Sequence, residues 1–122
     1  MISVTLTGNP IPAARARAGR GNHFYTPKRY AAYKERLAWA LREAVGDAGP
    51  MTGPVQVEAH FYRATRGRVD LDNLLKTVLD AATEAGVWVD DSQVRRFTDI
   101  SVELGSGEPR VEIVVTELEG LE

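Results

Sequence analysis

Apolar and polar residues alternate in some stretches of this chain and recur at helical spacing in others. Ile2, Val4 and Leu6 alternate with Ser3, Thr5 and Thr7, the period of a strand buried on one face. Gly8-Asn9-Pro10-Ile11-Pro12 breaks that pattern, and an Arg/Gly-rich segment follows to about Tyr25. Thr26 before Pro27 is an N-cap and first-turn pair. Tyr30, Tyr33, Leu37, Leu41 and Ala44 then share one helical face, with Gly46 where the helix should close. Arg29, Lys34 and Arg36 fall outside that stripe, and Trp39 is expected to pack this helix. Residues 49–54 form a turn, after which Val55, Val57, Ala59 and Phe61 alternate with Gln56, Glu58, His60 and Tyr62 as a second strand. Arg63 to Arg68 reads as a basic loop. Leu74, Leu75, Val78, Leu79 and Ala82 make one face of a second helix, which Gly86 ends. Trp88 is expected to anchor the following Asp90-Asp91, and two strands at about 94–104 and 110–118 complete the chain. The order β-α-β-α-β-β predicts an α+β (mixed α/β) fold, a single domain over 1–122.

Composition narrows the chemistry. A chain of 122 residues hides roughly two-thirds of its unfolded surface, enough for one real core. The sequence has no cysteine, which excludes disulfide scaffolds, cysteine nucleophiles and thiolate metal sites. The first residues have neither the basic nor the apolar region of a signal peptide, and no apolar run approaches the roughly 20 residues of a membrane span. A cytoplasmic location and no membrane partner are expected. The formal charge of −2 conceals a division: residues 1–46 carry eight bases and two acids, whereas 47–122 carry seven bases and fifteen acids. A basic half beside an acidic half suits a polyanion on one side and cations on the other, although two solvated faces would look the same.

The densest chemistry lies in Asp70-Leu71-Asp72-Asn73-Leu74-Leu75-Lys76 and in Asp91, fifteen residues beyond Lys76. In extended chain, Asp70 and Asp72 point the same way, and Lys76 lies one helical turn past Asp72. Asp91 would join them if the segment after Gly86 packs beside the second helix. Three converging carboxylates suit Mg²⁺ or Mn²⁺, hard cations that keep waters for a phosphate to replace. Spacing alone leaves a plainer arrangement open: Asp72 as a helix cap, Lys76 paired with Asp72 or Asp80, and Asp90-Asp91 as a turn. An EF-hand fails because Leu74 and Leu75 occupy positions that need a ligand and a glycine. No phosphate loop, dinucleotide fingerprint or serine elbow is present.

The run Arg68-Val69-Asp70-Leu71-Asp72-Asn73-Leu74-Leu75-Lys76-Thr77-Val78-Leu79-Asp80-Ala81, followed by Ala85-Gly86-Val87-Trp88-Val89-Asp90-Asp91-Ser92-Gln93-Val94, strongly resembles the RusA family of Holliday junction resolvases. Pro10-Ile11-Pro12 with its trailing arginines and the Pro109-Arg110-Val111-Glu112-Ile113 strand extend the likeness over nearly the whole chain. The resemblance implies a small homodimeric, Mg²⁺-dependent endonuclease (Mn²⁺ substituting), often of prophage origin, that cuts four-way DNA junctions in recombination and repair. It implies Asp70, Asp72, Lys76 and Asp91 as catalytic positions, the three aspartates as metal ligands, and Asn73 and Asp90 as support. Ala13, Ala14 and Ala16 depart from the lysines or prolines of many relatives, but Arg15 and Arg17 remain as DNA contacts. Arg63, Arg66 and Arg68, beside the carboxylates, are expected on phosphates. His23 and His60, far apart and with no thiolate beside them, argue against zinc and read as ordinary polar residues, and Tyr30 and Tyr33 as core. A nuclease for flaps, or a non-catalytic DNA-binding phage protein, is the alternative.

Overall fold

In a computed structural model of the protein, residues 1–13 and 27–118 are described, and their elements follow the hydrophobic pattern closely. The chain forms β1 (Ile2–Thr7), α1 (Pro27–Val45), β2 (Val55–Arg63), α2 (Leu71–Ala85), β3 (Val94–Leu104) and β4 (Arg110–Glu117). Short 3₁₀ turns occupy Gly46–Ala48 and Asp91–Gln93. Thr26, the expected cap of α1, lies outside the described residues. Gly86 closes α2 at φ +78°, a left-handed conformation that glycine adopts without a Cβ penalty.

The four strands form one sheet in the order β1-β4-β2-β3. β4 pairs antiparallel with both β1 and β2. β2 and β3 run parallel, from Val55↔Val94 to Arg63↔Leu104, with irregularities near Gln56 and Glu58. A parallel pair needs a long crossover, and α2 supplies it.

Inward positions of β2 (Val55, Val57, Ala59, Phe61) and β4 (Val111, Ile113, Val115) are at most 1% exposed. They join Tyr33, Leu37 and Leu41 of α1 and Leu74, Val78, Ala81 and Ala82 of α2 in one cluster, so both helices cover the same face of the sheet. On the other face Gln56, Glu58, His60 and Tyr62 are half-buried among neighbouring strands.

Trp88 is buried as expected, with its indole N–H donating to Thr83 Oγ1 at 2.8 Å and its backbone bridging Met51. Trp39 corrects the sequence reading: it is 58% exposed, with the Arg42 guanidinium 5.1 Å from its ring centre. Two residues past Leu37 is about 200° around a helix, the side opposite the core. Tyr33 is buried with a hydroxyl that has no hydrogen-bond partner among the described residues, and this burial drives its pKa far up. Among the described residues no helix is long and apolar enough to cross a membrane.

The contrast between two neighbours on α1 is measurable. Leu37, fully buried, should lose about 2–5 kcal/mol on replacement by alanine. Trp39→Ala should change stability by about 0.5 kcal/mol or less, despite removing the larger side chain. Urea unfolding curves that show Trp39→Ala as the more damaging change would overturn this assignment of the core.

Candidate active site

Asp70 is the N-cap residue of α2, in extended conformation, and its carbonyl accepts the Asn73 and Leu74 amides at 3.1 and 3.2 Å. Among the described residues its side chain makes no capping hydrogen bond, so the carboxylate is not used to close the helix. Asp72 lies one residue inside the helix rather than in extended chain, because the helix starts at Leu71. Both acids are exposed and sit where the helix dipole favours negative charge. Lys76 follows one turn later, 63% exposed, with its ammonium 3.5 Å from Asp80. The i,i+4 pair is therefore with Asp80. Exposed pairs of this kind contribute about 0.3–0.5 kcal/mol, so Lys76 can exchange Asp80 for a phosphate at little cost.

The chain leading from β1 toward the arginine-rich segment is pinned along this end of α2. Gly8 N–H donates to Pro109, Ala64 N–H to Asn9 Oδ1, and Thr77 Oγ1 to the Ile11 carbonyl at 3.0 Å. Ala13 N–H donates to the carbonyl of Asn73 at 3.0 Å. Ala13 is thus fixed beside the first turn of α2. Arg15, Arg17 and His23 lie outside the described residues.

Arg63 corrects a second expectation. It is the last residue of β2, 2% exposed, with Nε donating to the Pro10 carbonyl at 3.3 Å. It clamps the first segment and is not displayed to a phosphate. Arg66 and Arg68 are exposed on the loop before Asp70. The Arg66 guanidinium lies across Gly105, where an added Cβ would come within 2.9 Å of its central carbon. Gly105 has φ +73°, the left-handed region that favours glycine, whereas the exposed Arg66 side chain can swing away from an added Cβ.

Asp91 occupies the other end of the fold. It opens the 3₁₀ turn after Asp90, which caps that turn by accepting Ser92 N–H at 3.0 Å. The hydrogen bonds from Ser92 hold the Asp90 carboxyl below its ordinary value, so its charge serves the turn. Gln93 finishes the clamp: its Oε1 accepts the Val89 and Asp90 amides, and its Nε2 donates to the Met51 and Gly53 carbonyls. Sequence reasoning missed Gln93, whose only outward sign was its place three residues after Asp90.

All these partners sit at the Val55–Val94 end of the parallel pair, whereas the loop to Asp70 leaves from Arg63 at the opposite end. The fifteen residues of α2 lie between them, about 21 Å of helix. Two carboxylate oxygens on one Mg²⁺ lie within about 4 Å of each other, given bonds of about 2.1 Å. The expected convergence of Asp70, Asp72 and Asp91 therefore does not occur within one chain. Among the described residues, the group whose metal-binding atoms do lie within 4.8 Å of one another is Glu58, His60 and Asp99. His60 was read as an ordinary strand residue. The clue available was parity, since Glu58 and His60 point to the same face of β2.

Comparison with known proteins places this geometry. The family described as Endodeoxyribonuclease RusA matches residues 7–116. The crossover junction endodeoxyribonuclease RusA of Escherichia coli (strain K12) is 33% identical over 116 residues, covering 95% of this chain and 94% of that protein. The protein of the same name from Shigella sonnei (strain Ss046) is 32% identical with the same coverage. A relative from Enterobacteria phage 82, also described as a crossover junction endodeoxyribonuclease, is 34% identical over 87 residues, 71% of each chain.

The Gln93 clamp generates a direct expectation. Gln93→Ala removes four hydrogen bonds around Asp91 and should destabilise the chain by about 1–3 kcal/mol. Amide exchange at Val89 and Asp90 should accelerate more than at residues of β4. Unchanged exchange at those two amides would show that Gln93 does not hold the Asp91 turn.

Proposed function

This chain belongs to the Endodeoxyribonuclease RusA family, and from that premise we propose that it resolves four-way DNA junctions by paired symmetric nicks, as a Mg²⁺-dependent homodimer acting in recombination and repair. The observation that carries the reading is the end of α2. It presents Asp70 with a carboxylate that does not cap the helix, Asp72 in the first turn, and the cations Lys76, Arg66 and Arg68 within a few residues.

The donor set fits the ion. Asp70 and Asp72 offer only hard oxygens, and neither histidine nor thiolate stands in the stretch from Arg66 to Lys76 to favour a softer metal. Mg²⁺ bound there supplies a Lewis acid at the phosphate and lowers the pKa of the attacking water, with Mn²⁺ able to substitute. Asp70 and Asp72 hold the ion, and Asn73 fixes the first turn through its backbone bonds to Asp70, Ala13 and Thr77. Lys76 places positive charge on the phosphate as negative charge develops. Arg66 and Arg68 grip neighbouring phosphates of the junction, with Arg15 and Arg17 adding to that grip.

Asp91 enters from a second copy of the chain. Within one chain, α2 holds it far from Asp70, so Asp91 reaches the ion from another protomer. A C2 dimer that exchanges Asp91 in this way builds two identical sites, each incomplete alone, and its symmetry matches the two opposed strands to be nicked.

A cleavage assay on a labelled four-way junction, in Mg²⁺ and in EDTA, with linear duplex and flap controls, tests the proposal. Asp70→Asn, Asp72→Asn and Asp91→Asn should each abolish cutting in Mg²⁺ while leaving junction binding intact or tighter. Neutralising Arg66 with Arg68 should weaken binding and flatten its dependence on salt, because fewer counterions are released. Equal cutting of flap and junction would replace junction resolution with a general branched-DNA nuclease. Cutting that persists in EDTA would remove the metal.

A further inference from the structure

We propose that Glu58, His60 and Asp99 form a second divalent-cation site, of the Zn²⁺ or Mn²⁺ class, that clips the edge strand β3 to β2. The three side chains project from the sheet face that α1 and α2 leave uncovered, and none belongs to the group proposed for cutting. The His60 Nε2 atom lies 2.9 Å from Glu58 Oε2 and 3.8 Å from Asp99 Oδ2. A tetrahedral ion with bonds of about 2.0–2.1 Å places its ligands about 3.4 Å apart, between those two separations. On its other side, His60 Nδ1 lies 2.8 Å from Ser101 Oγ. That outer hydrogen bond is the kind that orients a metal-bound imidazole.

Charge gives a separate reason for a cation. The parallel register sets Glu58 directly across from Asp99, and like charges facing each other across strands destabilise a sheet. A proton on His60 Nε2 serves Glu58 alone, because Asp99 at 3.8 Å is beyond hydrogen-bonding reach. The next carboxylate along, Glu112 opposite His60 on β4, is already engaged by Arg110 at 2.8 Å. Of the two arginines of β3, Arg96 reaches toward Gln56 rather than toward this pair. An ion held by both carboxylates and the imidazole satisfies all three. The nitrogen ligand favours Zn²⁺ over Mg²⁺, and the two carboxylates keep Mn²⁺ in range. The edge strand β3, joined to the sheet on one side only, thereby gains a second tie to its neighbour.

Calorimetric titration of the full chain carrying Asp70→Asn and Asp72→Asn tests this, because it removes the proposed cutting site from the signal. ZnCl₂ should bind at one ion per chain, more tightly than MnCl₂. Adding His60→Gln or Asp99→Asn to that chain should each weaken Zn²⁺ binding by about tenfold or more, with the circular dichroism spectrum unchanged. Asp99 is 68% exposed at its side chain, so that variant keeps its fold. Co²⁺ substituted for Zn²⁺ should give visible absorption that His60→Gln abolishes. Zn²⁺ affinity that survives either substitution, or no saturable binding at sub-millimolar Zn²⁺, would overturn the site. Neither result bears on junction cutting in Mg²⁺, which the otherwise wild-type chain with His60→Gln should retain.

Discussion

The parallel pairing of β2 with β3 is the constraint from which the arrangement of charge follows. Two parallel neighbours cannot be joined by a tight turn, so the chain must return along the full length of the sheet before β3 begins. Here α2 makes that return, buried against the sheet through Leu74, Val78, Ala81 and Ala82. A rigid helix of fifteen residues consequently separates the acids at its start from the acid after its end. Nothing softer than unpairing β3 or unwinding α2 would bring Asp91 to Asp70 inside one chain.

The same packing explains why basic and acidic halves of the sequence meet. The segment after β1 is fastened to the end of β2 by Arg63 and to α2 by Thr77 and the Asn73 carbonyl. Ala13 is therefore held beside the first turn of α2, although nearly sixty positions separate it from Asp70 and Asp72 in sequence. Arg63 and Thr77 are buried, and both serve this attachment.

Much of this was legible from residue order. Alternation at Ile2–Thr7 and Val55–Tyr62 marked strands, and the helical faces of α1 and α2 were visible from their leucines, valines and tyrosines. The failures have physical causes. Arg63 continues the inward parity of Val55, Val57, Ala59 and Phe61, and reading its charge as a sign of exposure overrode that parity. Trp39 is large and aromatic, but its angular position faces solvent. The carboxylate motifs were plain, whereas their separation depends on strand direction and pairing partner, which local pattern does not contain. The Glu58–His60–Asp99 group was hidden for the same reason, since Asp99 meets the other two only through the β2–β3 register.

The claim that one chain holds half of each cutting site is tested most directly by mixing two inactive proteins. Asp70→Asn and Asp91→Asn homodimers should each leave a supercoiled cruciform plasmid uncut in Mg²⁺. After the two are mixed and allowed to exchange subunits, every heterodimer contains one site with both substitutions and one with none. Nicked circles should then accumulate, cut in a single strand. A mixture that stays as inactive as its components, despite verified subunit exchange, would contradict the shared site and return Asp91 to its own chain.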